Sequence, residues 1–569
     1  MRRIATVPLL LFLTAGPLLA AGPQVERGTA GAVAAAEETA ARVGIDILKR
    51  GGNAADAAVA VSFALAVTWP EAGNIGGGGF WISRDANGKV LVVDYREVAP
   101  RAARRDLFVR SSAGGKPPSS TEGPFASGVP GTVAGLALAH RQLGRLPWKK
   151  VVEPAIRLAR EGFIVSEAVS GSIAKERDRL AHDSETAALF LPGGQPPAAG
   201  SVLKQPDLAR TLETIRDRGA DGFYRGRVAR QIEVGQTRDG GLITRGDLGR
   251  YEAKVRRPVT FRFAGAEVFT TPAPSSGPML AEMSILTQLL GLEKFKQRDV
   301  SSAHLLAEIE KRSFRDRNRY LGDPGFGGVR QNLFTDPARL KTIAASIDPH
   351  HTTPSEALRS PEREKPTTTH FSVMDASGAA VAVTTTLNDS FGNARVAPGL
   401  GFLWNNEMDD FAARPGQKNL YGLVQGEVNA VAPGKRMLSS MCPSIAVLGS
   451  RSALVWGSPG GSTIPTTNFQ VLLNVLLRGE VLDAAVAAPR FHQQDFPDAI
   501  QYEGGRFDPA WIEALGKLGH TVAERVEERL PHGAVLGRVH AIARGPDGTM
   551  TSVADPRSSG VGLVVRPSP

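Results

Sequence analysis

The alternation of hydrophobic and polar positions predicts two helices and two strands in the first hundred residues. Residues 31–50 carry apolar side chains at helical spacing and end at the basic and glycine residues 49–52, a typical helix stop. A second helix, from Ala54 to about Val67, is apolar on nearly every face, so we expect it to be buried. A glycine-rich loop then leads into strand-like segments at residues 80–85 and 89–97.

The remaining pattern divides into an α-rich middle and a strand-rich end. Residues 131–347 alternate helical patterns with turn signals and carry no recognisable chemistry; the clearest helices span residues 151–161, 206–218 and 302–319. The later strand-like runs are residues 369–374, 379–387, 401–405, 444–448 and 453–457, and helical runs follow at 466–478 and 481–488. Helices before and after a set of strands predict layered α/β packing.

Two segments have the pattern of connections. The glycines within residues 73–79 follow a helix, and neither a Lys-Ser/Thr pair nor dinucleotide spacing comes after them. Close backbone packing is therefore favoured over phosphate binding. Residues 349–367 are rich in proline and charge and lack apolar periodicity, which predicts an exposed linker.

Composition is that of a globular protein, and the first residues indicate export. The chain has 569 residues, of which 42% are hydrophobic and 22% charged. Arg2 and Arg3 precede an apolar stretch that ends in small residues, which predicts a secretory signal over residues 1–21, cut near Ala20 or Ala21. A membrane anchor is the alternative, which polar and proline breaks disfavour. We expect a periplasmic or secreted protein without a membrane span in its mature form.

Charge and motif content exclude several classes of function. The net charge of +10 comes without a nucleic-acid recognition motif, so we expect no nucleic-acid partner. The single cysteine, Cys442, excludes an intrachain disulfide and a cysteine-based zinc site. The sequence contains no HExxH or GxSxG motif and no cluster of histidines with carboxylates at metal-ligand spacing. We therefore expect neither a metal nor a cofactor.

Candidate chemistry lies where the linker passes into a strand, at Thr367-Thr368-Thr369. A cut before one of these threonines would free an α-amine with a pKa of about 7.7–8.0 beside its own hydroxyl. Such a nucleophile needs donors for an oxyanion, and the glycine-rich turn at residues 457–462 offers adjacent backbone N–H groups. By themselves, β-branched residues at a strand start are also ordinary structure.

Motifs along most of the mature chain resemble those of the γ-glutamyltransferases, or glutathione hydrolases, of the N-terminal-nucleophile hydrolase superfamily. The segments that carry the resemblance are GGNAADAAVAVSFALAVTWPEAGNIGGGGF (51–80), DYREVAP (94–100), TTHFSVMD (368–375), NNEMDDF (405–411), KRMLSSMCPS (435–444), GSPGGS (457–462), APRFH (488–492) and ADPRS (554–558). The order of so many unrelated motifs makes accidental similarity untenable.

The resemblance implies a four-layer αββα sandwich formed by two fragments of one self-cleaved precursor. These are a large fragment, residues 22–367, and a small catalytic fragment, residues 368–569, separated by cleavage between Thr367 and Thr368. It also implies a lid loop at about residues 412–436, with Tyr421 at the closing position. The two fragments are expected to form a heterodimer.

Roles follow from the same resemblance, position by position. Thr368 corresponds to the nucleophile, Thr386 to the residue that steadies it, and Gly460 with Gly461 to the oxyanion hole. The α-ammonium group of the substrate would be held by Asn388, Glu407 and Asp410, and its α-carboxylate by Arg96, Ser439 and Ser440. Without the resemblance, Asp410 with its neighbour Asp409 is equally well explained as a solvated pair, and the two serines as a polar turn.

The implied reaction is transfer of a γ-glutamyl group from glutathione or a related compound to water or to an amino acid or peptide acceptor, through a γ-glutamyl-threonine intermediate. One alternative is a cephalosporin or glutaryl amidase acylase of the same superfamily, which need not recognise an α-ammonium. Another is an inactive binding protein that keeps the fold. Asp410 disfavours the first, and the joint presence of Thr368, Thr386 and the glycine pair disfavours the second.

Overall fold

The computed structural model describes residues 22–109, 117–355, 368–412, 425–449, 451–525 and 535–566. Within these ranges, two seven-stranded antiparallel sheets lie face to face. Strands of the first sheet, in spatial order, are β1 (Gln24–Gly28), β18 (Met550–Ala554), β17 (His540–Arg544), β13 (Arg451–Gly457), β12 (Ser444–Leu448), β9 (Ala266–Thr270) and β8 (Val259–Phe263). Strands of the second are β19 (Val561–Val564), β2 (Gly31–Ala35), β10 (Thr368–Asp375), β11 (Ala380–Thr386), β3 (Gly78–Arg84), β4 (Val90–Asp94) and β7 (Lys254–Arg256).

Helices cover the outer face of each sheet. Those packed on the second sheet are α1 (Glu38–Lys49), α2 (Ala54–Thr68), α3 (Thr132–Leu143), α4 (Trp148–Glu161), α5 (Glu167–Lys175), α6 (Arg177–Ala181), α7 (Ser184–Phe190), α8 (Pro206–Arg218), α9 (Asp221–Tyr224), α10 (Gly226–Arg238) and α11 (Arg245–Arg250). Those on the side of the first sheet are α12 (Gly277–Leu290), α13 (Val300–Tyr320), α14 (Pro337–Ala345), α15 (Ile464–Leu476), α16 (Leu482–Ala487) and α17 (Pro509–Lys517). Short strands at the periphery are β5 (Phe163–Ile164), β6 (Val202–Leu203), β14 (Phe491–His492), β15 (Ile500–Tyr502) and β16 (Val522–Glu524).

The predicted four-layer αββα sandwich is confirmed by how the strands divide their side chains. On β10, Phe371 and Val373 pack among the helices, whereas Met374 packs between the sheets. This is the period of two that a strand with both faces buried requires. Ile445 and Ile542 of the first sheet pack against the same inter-sheet cluster as Met374. Apolar layers on both faces of both sheets therefore build the core.

Helix α2 confirms the prediction of a fully buried helix at residues 54–67. Its N-terminus has a capping box, in which the Asn53 side chain accepts from the Asp56 N–H and the Asp56 carboxylate accepts from the Asn53 N–H. Asp375, at the end of β10, accepts a further hydrogen bond from the Ala54 N–H at 3.0 Å. Every residue of the helix is buried, as its uniformly apolar surface requires.

Two predictions of secondary structure are wrong. Residues 31–35 form β2 rather than the first turns of a helix, because their small side chains fit between β10 and β19. The helix starts only at Glu38, after Glu37 caps it by accepting from the N–H groups of residues 39 and 40. Residues 401–405 form no strand beyond an isolated bridge at Leu403, and their bulky side chains instead fill the core on the helical side of the second sheet.

The glycine-rich loop serves close packing, as expected. A Cβ added at Gly77 would lie 2.1 Å from the Thr386 carbonyl oxygen, and one at Gly79 would lie 2.3 Å from the Thr384 carbonyl oxygen. Only glycine lets these two backbones approach so closely. The end of the loop and the start of β3 are therefore in direct backbone contact with β11, the strand that pairs with β10.

Both sheets take strands from either side of position 368. In the second sheet, β10 lies between β2, which precedes that position, and β11, which follows it. The described part of the predicted linker, residues 349–355, is exposed or half-exposed; residues 356–367 lie outside the described ranges, as do residues 1–21. No helix among the described residues is long and apolar enough to cross a membrane.

Replacement of Phe63 tests the central role of α2. Phe63 is fully buried and packs edge-to-face against Trp148, with ring centroids 5.6 Å apart. Phe63→Ala should destabilise the protein by about 3–5 kcal/mol because it leaves a cavity, seen as a lower midpoint of urea unfolding by circular dichroism. The control Val234→Ala, at a side chain 67% exposed, should change stability by less than about 0.5 kcal/mol. Equal midpoints for both variants would contradict this account of the core.

Candidate functional site

Thr368 is the first residue of β10, and its cross-strand partner is Thr386 at the end of β11. The Thr368 hydroxyl donates to Thr386 Oγ1 at 3.4 Å, and the Asn388 N–H donates to the same oxygen at 2.8 Å. Thr368 is 8% exposed. The period of the strand turns its side chain toward the space between the sheets, on the same face as His370 and Ser372.

His370 and Ser372 tie this end of β10 to the opposite sheet. Ser372 Oγ donates to the His540 carbonyl at 3.0 Å, so His370 Nε2–H donates to Ser372 Oγ at 3.1 Å. His370 Nδ1 then accepts from the Thr384 hydroxyl at 2.8 Å. Burial lowers the pKa of His370 well below its ordinary value, and the ring is neutral. These hydrogen bonds therefore tie β10, the strand of the second sheet that carries Thr368, to the first sheet.

A small pocket opens at Thr368. Most of the residues that the sequence singled out meet there, although they come from widely separated segments. The pocket is lined by Thr368, Thr386, Asn388, Glu407, Asp410, Ser439, Ser440, Met441, Gly461 and Ile464. Arg96 lies directly behind its wall, and Gly460 adjoins Gly461. Thr367 and Tyr421 lie outside the described residues.

Arg96 binds the two carboxylates that the sequence analysis assigned to the opposite end of a substrate. Its Nη1 donates to Glu407 Oε1 and its Nη2 to Asp410 Oδ2. Longer contacts of 3.4 Å reach Glu97 Oε2 and the Met437 and Leu438 carbonyls. Arg96 is fully buried, so the positive and negative groups form one compact cluster.

Burial and charge compete in this cluster. Burial raises the pKa of Glu407 and Asp410 above their ordinary values, although the Arg96 charge opposes the shift. Burial likewise raises the pKa of Glu97 to about 7. Arg96 itself is held charged, because the carboxylates around it raise its pKa against the effect of burial. The carboxylates that line the pocket thus lie directly against a buried positive charge.

A glycine turn forms the opposite wall. Gly460 and Gly461 have φ values of 139° and 56°, conformations that side-chain-bearing residues rarely adopt. The turn joins β13 to α15, and β13 ends at Gly457, where an added Cβ would lie 2.4 Å from the His370 ring. Backbone N–H groups of such a turn are suited to stabilise a developing negative charge.

Side chains behind this turn form hydrogen bonds with it that the sequence did not predict. Ser462 Oγ donates to Gln494 Oε1 at 2.5 Å, and the same oxygen lies 2.8 Å from His492 Nε2. Burial lowers the pKa of His492 to about 3, so the ring is neutral and its Nε2–H donates to Gln494. The motif at 488–492 was visible in the sequence, but nothing in it indicated contact with the turn.

Ser439 and Ser440 sit on a turn anchored to the loop before α12. The Ser439 N–H donates to the Pro274 carbonyl at 2.7 Å, and Ser276 Oγ donates to the Ser439 carbonyl at 2.7 Å. Ser440 Oγ accepts a hydrogen bond from Arg317 Nη2 at 3.0 Å. Arg317 lies on α13, in the middle region of the chain. The sequence did not single it out, because this helix has an ordinary pattern of polar and apolar residues.

The described part of the predicted lid loop borders the site. Asn429 donates to the Asp410 carbonyl at 2.7 Å and accepts from the Leu438 N–H at 2.9 Å. It therefore links the segment bearing Asp410 to the turn bearing the two serines. Residues 413–424 of the loop lie outside the described ranges. No cluster of three or more His, Cys, Asp or Glu side chains suited to a metal occurs among the described residues.

Comparison with known proteins identifies the family. The sequence profile described as gamma-glutamyltranspeptidase matches residues 40–565, and the chain belongs to this family. It is 43% identical over 537 residues to the glutathione hydrolase proenzyme of Escherichia coli (strain K12), covering 94% of this chain and 91% of that protein. It is 44% identical over 555 residues to the glutathione hydrolase proenzyme of Pseudomonas aeruginosa, covering 94% and 95%.

Among solved structures, the fold is similar to the crystal structure of a cephalosporin acylase from Bacillus halodurans. The TM-score is 0.84 at 25% sequence identity, and the match covers 98% of this chain and 100% of that one.

Thr386 offers a test of the contact beside Thr368. Thr386→Val keeps the shape but removes the oxygen that accepts from Asn388 N–H and from Thr368. The Thr368 hydroxyl then loses its contact with this oxygen, so hydrolysis of a γ-glutamyl anilide should slow by roughly five- to a hundredfold, equivalent to about 1–3 kcal/mol of transition-state stabilisation. Thr386→Ser keeps the oxygen, so its rate should fall by less than half as much as that of Thr386→Val. Identical rates for the two variants would show that the hydroxyl has no part in the site.

Proposed function

We propose that this protein is a self-processing γ-glutamyltransferase and glutathione hydrolase with Thr368 as its N-terminal nucleophile. The observation that carries the proposal is the pocket at Thr368, whose walls present Glu407 and Asp410 beside Ser439 and Ser440. An α-amino acid group, which bears one charge of each sign, matches this arrangement. Family membership and the printed names of relatives, glutathione hydrolase proenzymes, support it.

Self-cleavage would occur between Thr367 and Thr368 and free the α-amine of Thr368. That amine takes the proton from Thr368 Oγ1 as the oxygen attacks the γ-carbonyl of the donor. The N–H groups of Gly460 and Gly461 stabilise the resulting oxyanion. The leaving amine takes the proton and departs, as cysteinylglycine in the case of glutathione. Water or an amino acid or peptide acceptor then resolves the γ-glutamyl ester by the same steps in reverse.

Recognition of the donor divides between the two sides of the pocket. Asn388, Glu407 and Asp410 hold the α-ammonium group, since carboxylates and an amide oxygen are its natural acceptors. Arg96, Ser439 and Ser440 hold the α-carboxylate. When the zwitterion enters, it replaces part of the contact between Arg96 and the two carboxylates, so charge stays balanced throughout. Closure of the loop at residues 412–436, with Tyr421 at its closing position, would exclude water from the acyl enzyme.

The large fragment, residues 22–367, and the small fragment, residues 368–569, stay together as a heterodimer after cleavage. Interleaving of their strands in both sheets supports this, because separation would break the ladder between β10 and β2 and the ladder between β11 and β3. The proposed chemistry uses only side-chain and backbone groups and needs no cofactor. The segment 1–21 acts as a signal peptide and directs export to the periplasm or the medium.

The competing function is that of a cephalosporin or glutaryl acylase. The similarity of the fold to a cephalosporin acylase supports this alternative. Glutaryl and related acyl chains carry no cation. Burying Glu407 and Asp410 against such a chain would leave their charge without a partner from the substrate. An inactive binding protein is less favoured still, because the pocket retains the threonine pair and the glycine turn.

Thr368→Ala tests self-processing and catalysis together. Because one hydroxyl performs both, this variant should remain a single uncut chain without hydrolase activity, as seen by denaturing electrophoresis and a γ-glutamyl anilide assay. Thr368→Ser keeps the hydroxyl and amine and should be cut and active, though more slowly, because it lacks the methyl group that restricts its rotamers. A fragment of about 202 residues from Thr368→Ala, the length of chain from 368 to 569, would rule out this nucleophile.

Asp410→Asn tests the class of substrate. It keeps the shape of the side chain but deletes a charge that an α-ammonium needs, so hydrolysis of γ-glutamyl donors should fall about ten- to a hundredfold, from a charge-assisted bond of roughly 1.5–3 kcal/mol. Glutaryl anilides, which lack the ammonium, should be spared.

The matched control is Asp409→Asn, because Asp409 accepts from Ser120 Oγ at 2.6 Å and does not line the pocket. This variant should affect both donors by less than about threefold. Equal loss on both donors in Asp410→Asn would assign Asp410 a structural role instead.

A further inference from the structure

Arg317 is a buried cation beside the pocket whose hydrogen-bond partners are all neutral groups. Its exposed fraction is 1%. The Nε–H donates to Ser276 Oγ at 2.7 Å, Nη1 to Asn318 Oδ1 at 2.9 Å and Nη2 to Ser440 Oγ at 3.0 Å. In the part of the chain that the structure describes, no carboxylate forms an ion pair with it. The Asp410 carboxylate acts on Arg317 only through space. A buried charge without a hydrogen-bonded counterion is costly, so this arrangement calls for an explanation.

Other buried arginines of the protein show the usual solution. Arg490 pairs with Asp555 at 2.7 Å, Arg557 pairs with Glu503 and Asp555, and Arg96 pairs with Glu407 and Asp410. Arg317 differs from all three. Burial lowers its pKa to about 10, yet it remains charged at neutral pH.

Ser440 connects this cation to the pocket. Its oxygen accepts from Arg317 Nη2, so its own hydrogen is left to point elsewhere, and the residue lines the pocket beside Thr368. A hydroxyl whose oxygen is bound by a guanidinium donates more strongly, because hydrogen bonds in a chain polarise one another. Ser276 bridges Arg317 to the backbone of Ser439, which holds both serines in place.

We propose that Arg317, acting through Ser440, supplies the positive charge that balances the α-carboxylate of the donor. This inference rests on the proposed γ-glutamyl specificity and extends it to a positioning residue on α13. Arg96 alone does not provide that charge, because its guanidinium already lies between two carboxylates. With Arg317 included, the site holds two guanidinium groups beside Glu97, Glu407 and Asp410. Such a site suits a zwitterion better than a group with one charge.

The test compares two inhibitors that differ only in the α-carboxylate. L-glutamate carries it, and 4-aminobutanoate is the same molecule without it. In Arg317→Gln, the inhibition constant of L-glutamate should rise about ten- to a hundredfold, as expected for a lost charge-assisted hydrogen bond. The inhibition constant of 4-aminobutanoate should change less than about twofold. The KM for a γ-glutamyl anilide should rise by a factor similar to that of the inhibition constant of L-glutamate. The kcat should change less than about threefold.

Arg319→Gln is the matched control, because Arg319 lies on the same helix but is exposed, over the Tyr320 ring. It should leave both inhibition constants unchanged. Ser440→Ala should reproduce the selective loss of L-glutamate binding. The double variant Arg317→Gln, Ser440→Ala should bind L-glutamate little more weakly than either single variant, because both changes remove the same contact between Arg317 and Ser440. If Arg317→Gln does not accumulate as folded enzyme, Arg317→Met, which also removes the charge, is measured with the same two inhibitors, and an unchanged preference for L-glutamate would overturn the proposal.

Equal rises in both inhibition constants, or additive losses in the double variant, would overturn the role of Arg317 while leaving the γ-glutamyl activity intact. A wild-type enzyme that does not hydrolyse γ-glutamyl anilides would instead contradict the proposed function itself.

Discussion

The pairing of β10 with β11 is the constraint on which the rest of the site depends. It places Thr368 opposite Thr386 at the mouth of the inter-sheet space, and β2 closes the other side of β10 further along the strand. The chain of hydrogen bonds through His370 and Ser372 then fixes this strand against the first sheet. A side chain on such a strand has little freedom to move, and preorganisation of this kind would reduce the entropy lost in the reaction proposed for Thr368.

Charge balance governs the composition of the pocket. Each carboxylate buried there is costly by itself, and the structure offsets that cost by placing Glu407 and Asp410 against Arg96. Arg317 differs from Arg96, Arg490 and Arg557 because no carboxylate among the described residues forms an ion pair with it. A zwitterionic substrate would enter this field without adding net charge, so recognition of an amino acid group and stability of the empty site have the same physical basis.

Close backbone approach is the third requirement, and glycines meet it at both ends of the site. Gly77 and Gly79 allow the loop after α2 to press on β11, while Gly457 allows β13 to pass the His370 ring. Farther along, the turn at Gly460 and Gly461 takes backbone conformations that other residues avoid. Side chains at these points would displace the strands whose spacing defines the pocket.

The sequence by itself determined the elements with strong local patterns and the residue types of the site. Helix α2 and the strands at β10 and β11 follow from apolar runs, and the layered α/β class follows from their order. The family resemblance marked Thr368, Asp410 and the glycine turn, because each lies in a short contiguous motif. Two short segments were mispredicted for the opposite reason. Residues 31–35 and 401–405 take their conformation from neighbours far along the chain, which overrides local preference.

Only the tertiary structure decided which charges meet. The contacts of Arg96 with Glu407 and Asp410 span 311 and 314 residues, and that of Arg317 with Ser440 spans 123. No periodicity or spacing encodes such pairs, because they depend on how the two sheets and their helices stack. Arg317 was therefore invisible within an ordinary helical pattern. The role proposed for it depends on burial, on the lack of a hydrogen-bonded carboxylate and on contact with the Ser440 hydroxyl, which coincide only in the folded chain.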